Sequence, residues 1–163
     1  MFRNLIIRSH IKRASKRQKQ FASWDKVKTI TLIINNEGLN KSVLDNFIIN
    51  SGKQVEVVLM DFKNKVSAIK DYTTFTSLDK SIWRLPKSKS LSKLKRKNSD
   101  LVIIAAYDNI EFASVLAAHI NTPCVCGYRQ VYGNLDLIIV RKENQSVVDY
   151  LNEVVNYLKM IKN

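Results

Sequence analysis

The chain has 163 residues, 45% of them hydrophobic and 25% charged, with 27 Lys and Arg against 14 Asp and Glu for a net charge of +13. That length suits one domain with a real hydrophobic core. Two cysteines are too few for a disulfide framework, no apolar run approaches the ~18 residues of a transmembrane segment, and a reducing, cytoplasmic setting is the expectation.

Residues 1–24 open the chain with seven basic residues, Arg3, Arg8, Lys12, Arg13, Lys16, Arg17 and Lys19, and no acid. Phe2, Leu5 and Ile6, then Ile11 and Ala14, suggest one side of a helix, but the apolar side disappears from Ser15 to Gln20. The segment reads as a basic leader, helical or disordered, with Phe21 and Trp24 as aromatics that dock it on the body. Residues 25–163 then form a single folded domain. The run Leu5-Ile6-Ile7 is far shorter than the ~7–15 residues of a signal-peptide core. An acid-free N-terminus also suits a mitochondrial presequence, but Lys12–Lys19 has little apolar face opposite its charges.

Val27 to Ile34 is the first strand, Asn35 to Gly38 a turn, and Asn40 to Asn50 a helix with Val43, Leu44, Phe47 and Ile48 at helical spacing. Gly52 suits its C-cap. Gln54 to Met60 is the second strand, which completes a βαβ unit with a right-handed crossover. Residues 61–85 carry the least pattern. A short strand is expected near Ser81–Leu85, before Pro86, with Trp83 as a packing residue. Ser88 to Lys97 reads as a short helix with Leu91 and Leu94 inward. Residues 84–97 hold seven more basic residues, Arg84, Lys87, Lys89, Lys93, Lys95, Arg96 and Lys97, again without an acid.

Leu101 to Ala106 is an uninterrupted apolar run, the pattern of a strand buried on both faces in a parallel sheet. Asp108 suits a helix N-cap, and Glu111 three residues later completes a capping box. The helix Asn109 to Ile120 ends at Asn121-Thr122-Pro123. Cys124–Gly127 and Leu135–Val140 are short strands. Residues 128–134 are too few for a crossover helix, so these two strands form an antiparallel hairpin or are separated by a bend. A last helix, Gln145 to Ile161, has the stripe Val147, Leu151, Val154, Leu158 and Ile161. This order indicates a three-layer α/β fold with a mostly parallel sheet, Rossmann-like or flavodoxin-like.

Through the basic leader and the runs Asp100-Leu101-Val102-Ile103-Ile104, Val125-Cys126-Gly127 and Leu135-Asp136-Leu137-Ile138-Ile139, the chain resembles a family of small uncharacterised single-domain α/β proteins of Bacteroidetes bacteria. The resemblance covers most of the chain, on hydrophobic motifs. It implies an α/β fold and a bacterial cytoplasm, and it brings no catalytic residues.

Residues that could carry chemistry are sparse. Open parallel sheets bind ligands beyond the carboxyl ends of their strands. Here those ends carry Asn35, Asn36, Glu37, Asp61, Tyr107, Asp108, Asn109, Tyr128 and Arg129, a candidate ligand crevice. Turns and caps place polar residues there in any such protein. Phosphate loops need closely spaced glycines; the chain has four, in no Gly-x-Gly-x-x-Gly or Walker pattern, so no nucleotide cofactor is expected. Cys124 and Cys126 share a strand face, but zinc takes about four ligands, and the histidines are His10 and His119 alone. The thiols read as buried structural residues, and no metal is expected. His119 reads as a partner of a helix dipole, and no pattern supports nucleophilic catalysis.

The charge therefore leads. All 14 acids lie outside the two basic runs, on a body close to neutral. A general lysine bias would raise basic content everywhere, whereas segregated charge points to a polyanionic partner. The expectation is a non-enzymatic protein that binds RNA, the ribosome included, through Arg3, Arg8, Lys12, Arg13, Lys16, Arg17 and Lys19 of the leader and Lys89, Lys93, Lys95, Arg96 and Lys97 of the second run. Such contacts neutralise phosphates and release counterions, and Phe21, Trp24 and Trp83 are aromatics able to stack on unpaired bases. Two alternatives remain. One is a small-ligand binder or enzyme with its site in the strand-end crevice. The other is attachment of the leader to an anionic membrane surface, for which Phe2, Leu5, Ile6 and Ile11 supply a thin apolar face.

Overall fold

Runs with strand character and runs with helical spacing alternate along the chain. The computed structural model, which describes residues 2–14, 16–21, 23–64, 69, 71–95 and 97–161, assembles them into three layers. Six strands, β1 (Thr29–Asn35), β2 (Gln54–Asp61), β3 (Thr73–Thr76), β4 (Leu101–Ile104), β5 (Val125–Gly127) and β6 (Leu137–Ile138), form one sheet in the order β3-β2-β1-β4-β5-β6. Every pairing is parallel. This is the Rossmann-like winding rather than the flavodoxin-like one, and its direction reverses between β1 and β4.

Alternation along the central strands fills both faces. Ile30, Leu32 and Ile34 of β1 join Val57, Leu59, Leu101 and Ile103 beneath α2 (Lys41–Ser51) and α4 (Val147–Met160). Ile33, Val58, Met60, Val102 and Ile104 face the other way, beneath α1 (Phe2–Ala14), α3 (Ile110–Ala118) and the 3-10 turn Ser90–Leu94. Each such side chain, fully buried, contributes about 1.5–3 kcal/mol. Caps fix the helix ends: the Val43 N–H donates to Asn40 Oδ1 at 3.3 Å, Gly52 closes α2 at φ 64°, and the Asp149 N–H donates to Ser146 Oγ at 3.1 Å.

Four sequence expectations change. The third strand is Thr73–Thr76, not 81–85. Residues 81–85 turn back on themselves, with the Ser81 N–H donating to the Leu85 carbonyl at 2.8 Å and Lys80 bridging antiparallel to Pro86. Only Leu85 enters the core there; Ile82 is 89% exposed, and Trp83 is exposed too, stacked on Phe2. The expected helix over 88–97 is the 3-10 turn, although Leu91 and Leu94 do point inward. Strands β5 and β6 are parallel, not a hairpin, because the link between them is pinned to α3. Asn134 accepts from the Val131 N–H at 2.8 Å and donates to Ser114 Oγ at 2.9 Å. Finally, α3 begins at Asn109 with φ 54° and no side-chain cap, because Asn109 Oδ1 accepts from Lys80 Nζ at 3.2 Å and Glu111 pairs with Arg3.

The leader is built into this frame. Ile7 is fully buried and Ile11 nearly so, among the residues of α3. Beyond α1 the chain passes the N-terminal ends of the strands. There Arg17 pairs with Asp136, and the Gln20 N–H donates to the Pro123 carbonyl at 3.1 Å. Trp24 then packs into the opposite layer, with Lys53 Nζ 5.0 Å from its ring centroid. Among the described residues no helix is long and apolar enough to cross a membrane.

Candidate functional site

The two ends of the sheet carry two different sites. At the N-terminal end lies a cleft of about 700 Å³ on the α1–α3 side. Arg13, Lys16 and Arg17 reach it from the leader, and Lys95, with Ser88 and Ser92, reaches it from the second basic run. His10 and the chain from His119 to Thr122 complete its lining. No acidic side chain lines it among the described residues. The architecture follows from the sequence: Ile7 and Ile11 seat α1 on α3, while Leu91 and Leu94 seat the 3-10 turn beside it. The charged sides of both elements are left to face water.

The basic residues expected to meet RNA divide into groups. Arg13, Lys16, Arg17 and Lys95 line the cleft. Lys12 and Lys89 are exposed near it in sequence. Arg3, Lys93 and Lys97 form ion pairs with Glu111, Asp79 and Glu56, respectively, and Lys19 shares Asp136 with Arg17, which is thus both a lining residue and ion-paired. Lys93 Nζ lies 2.8 and 2.9 Å from the Asp79 oxygens and 2.8 Å from the Thr74 carbonyl, so it staples the 3-10 turn to β3. Arg8 stands over the Tyr132 ring at 4.8 Å. Arg96 lies outside the described residues. Of the aromatics, Trp24 is buried in the core, Trp83 is exposed beside Phe2, and Phe21 is exposed after the cleft.

Sequence reasoning did not place His10 and His119 in this site. His119 Nε2 lies 2.9 Å from His10 Nδ1, one ring on α1 and the other at the end of α3. Burial and the nearby Arg13 charge push the His10 pKa down, and burial, His10 and Arg13 do the same to His119. No local signal joins two histidines so far apart in sequence.

At the C-terminal ends of the strands, the crevice residues do assemble. Asn35, buried at the end of β1, accepts from the backbone N–H of Tyr107 at 3.0 Å and of Asp108 at 3.2 Å, which fixes the loop after β4. The Tyr107 hydroxyl donates to the Glu37 carbonyl. Asp61 accepts from the Asn64 amide at 2.9 and 3.0 Å. A cavity of about 370 Å³ runs between 107–111 and 129–132, and a smaller one of about 110 Å³ lies between Asn35–Glu37 and Asp61. Asp108 and Asn109 border both. Tyr128 is set back from them, half-buried against Tyr150, with its phenol pKa raised by burial.

Cys124 and Cys126 are buried in the α2–α4 layer, with Val125 on the opposite face. Burial, with Cys124 beside it, pushes the Cys126 thiol strongly up. Among the described residues no group of three or more His, Cys, Asp or Glu side chains converges to hold a metal.

No curated protein matches the chain, and no solved structure does. A family model matches residues 2–161, nearly the whole chain, so the basic α1 segment and the α/β body fall under one description. The chain belongs to the family of unknown function DUF6913.

Proposed function

We propose that this protein is a cytoplasmic, non-enzymatic RNA-binding protein and that the basic cleft holds the RNA. One observation carries the reading. Two basic runs far apart in sequence meet at a single cleft with no carboxylate in its lining among the described residues. Ion pairs with the body take up Arg17, Lys19, Lys93 and Lys97, whereas Arg13, Lys16 and Lys95 pair with no carboxylate among the described residues. A groove of that charge tracks a phosphate backbone and releases its counterions. Ribosomal RNA, the most abundant RNA of a cell, is the first partner to try.

The test is RNA affinity across a salt series for the wild type and for the variant Arg13→Glu, Lys16→Glu, Lys95→Glu, with Lys159→Glu on α4 as the control. The variant should lose affinity and flatten the log–log salt slope by about 0.7 per lost single-strand phosphate contact. Equal binding by the wild type and the cleft variant would refute the reading.

A second reading places a small ligand in the strand-end crevice. It is favoured by the position of the larger cavity beside β4, at the reversal of the sheet, and by its volume, within the usual range of ligand pockets. A compound that raises the melting temperature of the wild type but not of Arg129→Ala would support it.

A further inference from the structure

We propose that the His10–His119 pair is a proton-coupled part of the basic cleft, so that the cleft takes up protons when it binds a polyanion and binds more tightly as the pH falls. This rests on the cleft being the RNA site. The two rings meet at 2.9 Å between Nε2 and Nδ1, with centroids 5.0 Å apart and planes tilted by 57°. At that distance one nitrogen donates and the other accepts, so one N–H lies between two neutral rings.

The surroundings decide what a proton does there. From α1 and the chain after it, Arg13, Lys16 and Arg17 line the same cleft; from the second basic run, Lys95 does so. The lining from the end of α3, Ala118, Ile120, Asn121 and Thr122, adds no charged group. The C-terminal dipole of α3 favours a proton on His119. Arg13 opposes a proton on the pair, while the Arg17 charge is met by the Asp136 carboxylate and Lys19 shares that carboxylate. A first proton would keep the hydrogen bond, as imidazolium to imidazole, and burial with the Arg13 charge resists it in the free protein. A phosphate backbone laid in the cleft reverses that field, because it brings negative charge to Arg13, Lys16, Lys95 and the two rings together. Binding and protonation then favour each other, as linkage requires.

The decisive experiment measures the affinity of a labelled single-stranded RNA oligonucleotide at fixed ionic strength near pH 8 and near pH 5.5. Heparin is run as a second, sequence-blind polyanion, and His10→Gln and His119→Gln are compared with the wild type. Lys and Arg do not titrate in this range, so they contribute no change. The wild type should bind about 3–10-fold more tightly at the lower pH, since a rise of one pKa unit on binding gives tenfold. Both variants should lose the pH dependence, read for each as the ratio of its own affinities at the two pH values. As a check that needs no variant, the histidine ring resonances should titrate at higher pH when RNA or heparin is added. Affinity that is flat in pH, a dependence that survives in both variants, or unmoved ring titrations would overturn the proposal. If heparin shows the coupling and RNA does not bind at either pH, the RNA reading fails and the proton coupling stands.

Discussion

The Arg17 guanidinium closes on the Asp136 carboxylate, joining the chain beyond α1 to the residue that leads into β6. Asp136 also accepts from the Val125 N–H at 2.9 Å and lies 3.1 Å from Lys19 Nζ. One nearly buried carboxylate thus holds the leader, the start of β5 and the start of β6 together. Asp136→Asn leaves Arg17 without its partner carboxylate and should cost about 3 kcal/mol in urea unfolding, the scale of breaking a buried pair. A change below about 0.5 kcal/mol, the surface range, would show that the leader is not held there.

The same group sets an acid limit. Burial acts to raise the Asp136 pKa, but the Val125 N–H, Arg17 and Lys19 outweigh it and hold the carboxyl below the usual range. A depressed folded pKa gives stability that is complete above the unfolded value, about 3.9, and is lost as the pH falls below it. Unfolding curves should show wild type and Asp136→Asn converging below about pH 4. A gap that persists unchanged well below about pH 4 would contradict the assignment.

The histidine pair acts in a higher window. Both rings have lowered pKa values, so the unfolded chain binds protons first, and stability falls as the pH drops below about 6.5. Without polyanion, the wild type should lose melting temperature between about pH 7 and pH 5, and His119→Gln should lose less. Parallel curves would remove the pair from the acid response.

Helix α1 is a layer of the fold, and its residues can be ranked by burial. Ile7→Ala, at a fully buried site against α3, should destabilise by about 2–4 kcal/mol. Leu5→Ala, at a site that is 58% exposed, should stay within about 0.5 kcal/mol. Chemical denaturation of the two variants separates a docked helix from a solvated tail, for which both changes would be small.

Which parts were legible in the sequence follows from burial. The strands at the middle of the sheet and the helices that cover them show long apolar runs or stripes, and β1, β2, β4, α2, α3 and α4 were readable for that reason. Strand β3 was not. Thr73–Thr76 is short, lies at the edge, and buries a single apolar side chain, Phe75. Ile82 and Trp83 look like strand core in one dimension but stand outside a turn. Parallel and antiparallel strands share one alternation, so the β5–β6 direction depended on Asn134 reaching Ser114, a contact with no sequence signature. The residues at the strand ends could be grouped from sequence because turns after strands are local features. The cleft was only half visible: charge runs mark Arg13, Lys16 and Lys95, but which lysines meet carboxylates, and which histidines meet each other, is decided by tertiary approach.

The most direct measurement is photo-crosslinking of bound RNA to the full-length protein, with the modified peptides identified by mass spectrometry. Crosslinks should fall in residues 10–17, 88–95 and 119–122, the three stretches that line the basic cleft. Crosslinks confined to 107–111 and 129–132, at the opposite end of the sheet, would contradict the account and make the strand-end crevice the functional site.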